Sequence, residues 1–457
     1  MADTFGGVLA FAFLVCMILV GTILRANIRF LQTALVPAAL IGGIVGFTLL
    51  ASGWSFGYTS GDFTAFTFHF FTLSFMSLCL TGSDKKQRGD SVAIGAGWLS
   101  GIWTISLVTQ ALVGLLVIWL YNSLSGENLS VFLGAIVAHG FTQGPGQALA
   151  MGSIWQSEFG IDMAIDFGLI YASAGFILSF LVGVPIARYF VKNRMNSDQE
   201  ARIDSAFLSG IQPEDSTISA GKQITHPGNV DSLVFHIGIL GLAYLLTDQY
   251  LLFVQPLASG VEIFGVNMGI IFSHNLFFFH GLVICVIMRA VMDKFGWGRF
   301  IDNETQRHVT GSAVDIMVVA TVMSIKFALL TAFIVPILLV CISVTIVTAL
   351  LCFGLGRGQS SYGPERMITV FGCCCGSTGS GLLLLRILDP GLRSPIAREL
   401  AFFNVIILFV TLHILAVMVP VLPGIDLQTI FVVYLATAVV GYFSVQWLGK
   451  RLRRTTI

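Results

Sequence analysis

Charge is scarce in this chain. Lys and Arg number 24 and Asp and Glu 24 among 457 residues, 11% together, where soluble globular proteins carry about 25%. That shortage, with apolar runs recurring from end to end, excludes a sizeable soluble domain. A formal net charge of zero says nothing useful about nucleic acid, and no nucleic-acid partner is expected. CxxC spacing is absent as well. The eight cysteines (Cys16, Cys79, Cys285, Cys341, Cys352, Cys373, Cys374, Cys375) all lie in apolar stretches, so neither a zinc site nor a disulfide framework is indicated. No His/Glu/His or paired-aspartate constellation is present, which makes an enzyme the least supported class. Basic residues are also missing ahead of the first apolar segment. Phe5 to Ile23 is preceded only by Asp3 and followed by Arg25 and Arg29, the reverse of a secretory signal. It reads as a retained first helix that starts outside.

What is present is hydrophobic surface: 56% of the residues, with a mean hydropathy of +0.88. A spanning helix needs about 20 largely apolar residues. That criterion places helices near Phe5–Ile23, Leu35–Leu50, Phe63–Leu80, Val92–Tyr121 and Ala164–Ala187. A polar linker follows from Arg188 to about Val230. Helices resume near Leu233–Leu252, Gly269–Met288, Ala313–Ile325, Leu329–Phe353, Leu400–Val419 and Ile430–Leu448. Two apolar segments do not fit as ordinary helices. Gly140, Gly144, Pro145, Gly146 and Gly152 break Val131–Trp155, and Gly372, Gly376, Gly379 and Gly381 break Ile368–Leu388.

Lys and Arg gather in cytoplasmic loops. With the N-terminus outside and both broken segments treated as re-entrant hairpins, 22 of the 24 basic residues fall on one side. Lys326 and Arg386 are the two left over. Making either hairpin a full span scrambles the bias, so the hairpin reading is preferred. The resulting layout is all-α and polytopic, with two inverted five-helix repeats, each holding a re-entrant pore-loop hairpin, and about 11 spans. The divisions are residues 1–187 (first repeat, hairpin 131–155), 188–230 (cytoplasmic linker), 231–420 (second repeat, hairpin 368–388) and 421–457 (extra helix and basic tail). Gly144-Pro145-Gly146 corresponds to Gly379-Ser380-Gly381, and Met76-Ser77 to Met323-Ser324. Inverted repeats with paired broken segments are a recurring transporter design, with the substrate site near the midplane.

Glycines at membrane depth have two uses. They let helices pack closely, or they let irregular backbone line a buried site with its N–H and C=O groups. For Gly42-Gly43 packing is the favoured reading. For the hairpins the site is favoured, because Thr142, Gln143, Gln147, Ser377 and Thr378 add polar groups that packing does not require. The run Gly134–Gly152 (GAIVAHGFTQGPGQALAMG) and the helix ending Val182–Arg188 (VGVPIAR) resemble the first pore loop and next helix of bacterial sodium/glutamate symporters. Phe371–Pro390 (FGCCCGSTGSGLLLLRILDP) is similar to the second pore loop of more distant members, and LVPAALIGGIVGF at Leu35–Phe47 matches in placement. The resemblance implies five-plus-five inverted repeats, two pore loops, and sodium-coupled uptake of glutamate or a related small carboxylate by alternating access. Sodium is then a co-transported ion, and no organic cofactor is expected. The implied setting is a bacterial inner membrane with a cytoplasmic C-terminus. The oligomeric state is left open, a homodimer being one option.

The candidate substrate contacts are Thr142, Gln143, Gly144, Gly146, Gln147, Ser377, Thr378, Gly379, Ser380, Gly381 and Arg386. The candidate sodium ligands are Asp166, Thr142 and Ser377, since a hard cation takes oxygen ligands. Arg386 either grips a carboxylate with its planar fork, or pairs with Asp389 or adds to the inside positive charge. Asp166 either binds sodium or complements a helix N-terminus. His139 reads as a structural group before a proton carrier, Lys326 as a snorkelling side chain, and Cys373–Cys375 as packing residues. A channel built on the two loops is the alternative class.

Overall fold

The computed structural model describes residues 2–81, 90–199, 204–214, 221–226, 228–263, 266–357, 362–392, 394–404, 406–407 and 427–455. The expected loop with Lys85, Lys86 and Arg88, together with Arg202, Arg393 and most of the Leu400–Val419 helix, lies outside the described residues. Among the described residues, eight helices are long and apolar enough to cross a membrane, against the eleven expected.

The long helices follow from unbroken apolar runs. They are α1 (Ala2–Asn27), α4 (Gly61–Leu80), α5 (Asp90–Ser125), α8 (Ala164–Lys192), α10 (Ser232–Ala258), α11 (Phe277–Lys294), α14 (Ile334–Gly356) and α18 (Leu427–Thr455). Shorter pieces complete the chain: α2 (Arg29–Thr33), α3 (Ala38–Ala51), α6 (Phe132–Ala135), α7 (Pro145–Phe159), α9 (Ser205–Ser209), α12 (Asn303–Met323) and α13 (Phe327–Ala332). The last are α15 (Gly363–Cys375), α16 (Thr378–Leu388) and α17 (396–404). A two-residue antiparallel ladder pairs Glu262–Ile263 with Val266–Asn267.

Three helix starts differ from expectation, each for a local reason. The seventh span begins at Phe277 rather than Gly269, because residues 268–276 are taken up by two 3₁₀ turns, Met268–Ile270 and His274–Leu276. The eighth begins at Asn303, ten residues before its apolar stretch, because the Asp302 side chain accepts the Thr305 amide and caps it. The ninth is interrupted at Phe333, and Pro336 then sits in the first turn of α14, where its missing N–H costs nothing.

The chain separates into two compact units. Unit one gathers Met1–Gly21, Gly42–Lys86 and Gln212–Ser324, and unit two gathers Thr22–Ile41, Gln87–Ile211 and Ile325–Ile457. In unit one, α4 packs against α11 and α12, around a buried cluster of Met76, Leu80, Leu240, Ala243 and Cys285. Ser77 ties α4 to α12, accepting from Gln306 Nε2 and Thr310 Oγ1, both at 2.8 Å. In unit two, α5 packs against α14 and α18, and α8 lies against α7, α15 and α16.

Candidate functional site

Both glycine-rich segments are broken helices, and both belong to unit two. The first runs from α6 through a π-helical turn, His139–Gln143, to a break at Gly144 and then into α7. Gly144 has φ 92° and ψ 175°, a combination essentially confined to glycine. Pro145 follows at the first helical position, pre-set for a helix start. The amides of Gly146 and Gln147 therefore open α7 ahead of its first internal bond, Ala148 N–H to Gly144 O. The second segment ends α15 at Cys375, turns through Gly376 and Ser377, and restarts as α16. Ser377 caps that restart, its Oγ accepting from the Ser380 amide at 3.4 Å.

Close backbone approach holds the segments around α8. A methyl at Gly175 would meet the Cys375 carbonyl oxygen at 2.2 Å, and one at Gly140 would meet the Ala172 amide at 2.8 Å. Within the second hairpin the same holds for Gly372 against the Gly381 backbone, at 2.7 Å. At the base of the first, α5 and α6 touch at Gly114 and Gly134, where a Cβ on either would meet the other's carbonyl at 2.0 Å. The glycines at these positions thus serve close packing.

The two breaks meet through side chains. Thr142 donates to Gln110 Oε1 at 2.7 Å and lies 3.1 Å from the Cys374 carbonyl. Gln110, on α5, places its amide nitrogen 2.9 Å from both Thr348 Oγ1 and Cys374 O, and 3.1 Å from Ser106 Oγ. Trp103 donates to the Thr142 carbonyl at 3.1 Å. The knot therefore joins α5, the first break, α14 and the end of α15 in apolar surroundings. Gln110 and Thr348 were not anticipated. The available signal was that Gln110 is the single side-chain amide between residues 91 and 120, and polar groups inside apolar helices are seldom idle.

A second set of polar groups lines the first hairpin. Gln143 Oε1 pairs with His139 Nδ1, and Trp155 lies edge-on to the His139 ring at 5.4 Å. His139 is thus a partnered group within the hairpin. Among the described residues, Gln143 Nε2, Gln147 Oε1, Trp155 Nε1, Tyr171 Oη and Ser173 Oγ are buried with no hydrogen-bond partner. Each such atom costs about 1–3 kcal/mol unless something polar reaches it.

The anticipated residues divide. Thr142, Gln143, Gly144, Gly146 and Gln147 stand at the first break, and Ser377, Thr378, Gly379, Ser380 and Gly381 at the second. Thr378 donates to Asn404 Oδ1 on α17 at 2.9 Å. Arg386 does not join them. It is exposed in the last turn of α16, eight residues or roughly 12 Å along the axis from Thr378. Asp389 instead accepts the Ser394 amide at 2.8 Å. Asp166 also lies away from the breaks, in the first turn of α8, where its carboxylate pairs with Lys326 Nζ at 3.0 Å. Lys326 is thereby an ion-pair partner as well as a half-exposed side chain. A Gly-x-Ser-x-Gly string, Gly53 to Gly57, follows helix α3 in a turn. It lacks the strand before it that presents a nucleophile.

No individually curated protein matches the chain. A family model described as sodium/glutamate symporter matches residues 4–356. The matched stretch takes in the first broken segment, α8 and α14, and ends ahead of α15. With its apolar helices and broken hairpins, the chain belongs to the sodium/glutamate symporter family and is a multi-pass, sodium-coupled membrane transporter.

Proposed function

We propose that the protein carries glutamate, or a small carboxylate like it, together with sodium, by alternating access at the two hairpin breaks. The observation that carries this reading is the Thr142–Gln110–Cys374 knot, which joins the breaks in one buried polar cluster. A helix N-terminus favours anions through its free amides and dipole, and α7 and α16 each begin at a break. The Gly146 and Gln147 amides and Gln143 Nε2 are donors suited to a carboxylate. Gln147 Oε1, Ser173 Oγ and Tyr171 Oη are acceptors suited to an ammonium group. At the second break the Gly379 amide opens α16 toward the second carboxylate, while the Ser380 and Gly381 amides are taken by Ser377 Oγ and Ser377 O. Thr142 and Ser377 supply hydroxyl oxygens for sodium. Asp166, engaged by Lys326, is assigned to fixing the start of α8, and Arg386 to the end of α16 remote from the break.

The repeat reading, residues 1–187 against 231–420, draws support from a reciprocal contact in unit one. A methyl at Gly281 on α11 would meet Met76 Sδ at 2.7 Å, and a methyl at Gly46 on α3 would meet Met323 Sδ at 2.7 Å. Met76 belongs to the third span and Met323 to the eighth, so each third-position methionine packs on the second-position helix of the other repeat. Exchange of this kind is what a two-fold relation between halves produces. The proposed setting is a bacterial inner membrane, N-terminus outside and basic C-terminal end inside, following the Lys and Arg bias.

Uptake of labelled glutamate into proteoliposomes, with and without an inward sodium gradient, tests the reading. Concentrative uptake that needs the gradient is expected. Uptake indifferent to sodium, or no competition by glutamate within a panel of acidic solutes, would sink it. A steady single-channel current would move the protein to the channel class.

A further inference from the structure

The knot around Gln110 gathers five oxygens, from Ser106, Gln110, Thr142, Thr348 and Cys374, about one side-chain amide. Three acceptors, Ser106 Oγ, Thr348 Oγ1 and Cys374 O, lie 2.9–3.1 Å from one amide nitrogen, which has two hydrogens to give. The single Thr142 hydroxyl hydrogen faces the same Cys374 O and one further acceptor, Gln110 Oε1. Ser106, Gln110, Thr142, Thr348 and Cys374 are all at most 3% exposed. The Cys374 carbonyl also belongs to the last turn of a 13-residue helix, α15, the negative end of its dipole. Rotating the Gln110 amide by half a turn exchanges its nitrogen for an oxygen without changing the shape of the side chain. Every atom then facing Thr348, Ser106 and Cys374 is an oxygen.

We infer that this knot is a binding site for the coupling cation, with Gln110 Oε1, Thr142 Oγ1, Thr348 Oγ1 and the Cys374 carbonyl as its ligands, and that the Gln110 amide nitrogen fills the site when no ion is present. The inference rests on the sodium-symport reading and names the atoms for it. Hydroxyl, amide and carbonyl oxygens are the ligands a hard cation takes. The knot holds no carboxylate, so its charge suits a monovalent ion and not a divalent one. Thr142 precedes Gly144 by two residues, so an ion that pulls on its hydroxyl also sets the position of the α7 N-terminus. Ion occupancy and substrate binding are coupled through that two-residue step. Trp103, bonded to the Thr142 carbonyl, holds the backbone side of the same residue.

The experiment is a thermal-melting titration of the purified full chain in detergent, with sodium chloride against choline chloride and no organic substrate. A ligand that binds the folded state raises the melting temperature saturably. Wild type is expected to respond to sodium and not to choline. Gln110→Leu and Thr348→Val are each expected to raise the half-saturating sodium concentration at least tenfold. Gln110→Glu keeps the shape and adds a carboxylate, and is expected to lower it at least tenfold. Sodium titrations of these variants that overlay wild type overturn the site. Should the first two fail to fold, Gln110→Glu decides alone, and an unchanged titration overturns the proposal. The symport reading fails separately, if wild-type uptake ignores a sodium gradient while the melting titration still responds.

Discussion

At Gly144 the backbone angles disfavour every side chain, and at Gly175 the space does. Gly144→Ala forces a Cβ into a region that costs about 1–3 kcal/mol, and we expect a lower melting temperature together with loss of uptake. Gly175→Ala sets a methyl 2.2 Å from the Cys375 carbonyl oxygen, a backbone atom that moves only with the whole hairpin. Overpacking of that kind costs about 1–3 kcal/mol. Uptake is expected to fall more than the melting temperature does, and uptake at wild-type rates would remove the contact from the mechanism. The residues around these glycines were legible in part. Thr142, Gln143 and Gln147 stood out because polar groups flanked a Gly-Pro-Gly break. Gln110 did not, because apart from Ser106 on its own helix its partners come from 32, 238 and 264 residues away. Asp166 was legible as a charge but not as a pair, since its partner Lys326 is 160 residues distant.

Helix ends show the limit of apolar pattern as a guide. The pattern begins at Ala313, whereas α12 begins at Asn303 because Asp302 caps it. The Asp302 carboxyl feels burial pushing it up, but bonds from the Thr305 amide, the Lys222 amide and the Thr305 hydroxyl, with His236 nearby, outweigh that and hold it below the ordinary carboxylate range. A carboxyl lowered by folding stabilises above its unfolded titration range, and the contribution fades as pH falls through the folded value. Asp302→Asn is therefore expected to lower the melting temperature near neutral pH, with the gap to wild type closing as the pH drops below about 4. A gap that stays constant across that range would refute the assignment. At the start of α15, Arg366 grips Glu399 through two bonds, Nε to Oε2 at 2.8 Å and Nη2 to Oε1 at 2.5 Å, with both side chains buried. Removing one partner of such a pair costs about 3–5 kcal/mol, while replacing both with apolar groups is near neutral. Arg366→Met is expected to abolish folded protein on size-exclusion chromatography, and Arg366→Met with Glu399→Leu to recover much of it. A double variant no better than the single one would show that the pair is not self-contained.

Across the whole molecule, the all-helical, multi-pass character and the two broken segments were legible in the sequence, because hydropathy and glycine pattern are read along the chain. The grouping into units was not, because each unit draws on both halves of the chain. The matched methionines show how that grouping is built in unit one. Met76 and Met323 are fully buried and pack on Gly281 and Gly46. If the halves are related by a two-fold exchange, Met76→Ala and Met323→Ala should lower the melting temperature by similar amounts, and Gly281→Leu and Gly46→Leu likewise. A large effect at one member of either pair with none at the other would break the relation.

The Met76 contact also bears on how the protein is made. Helix α4 leaves the ribosome with its packing surface complete, but the glycine that receives Met76 is roughly 200 residues behind it, which at synthesis rates of about 5–20 residues per second is on the order of 10–40 s. During that interval Met76 has no Gly281 to pack on. Nascent chains stalled before and after residue 281 should therefore differ in how readily α4 can be cross-linked to lipid or to insertion factors, so the interlocked halves set a timetable for biogenesis.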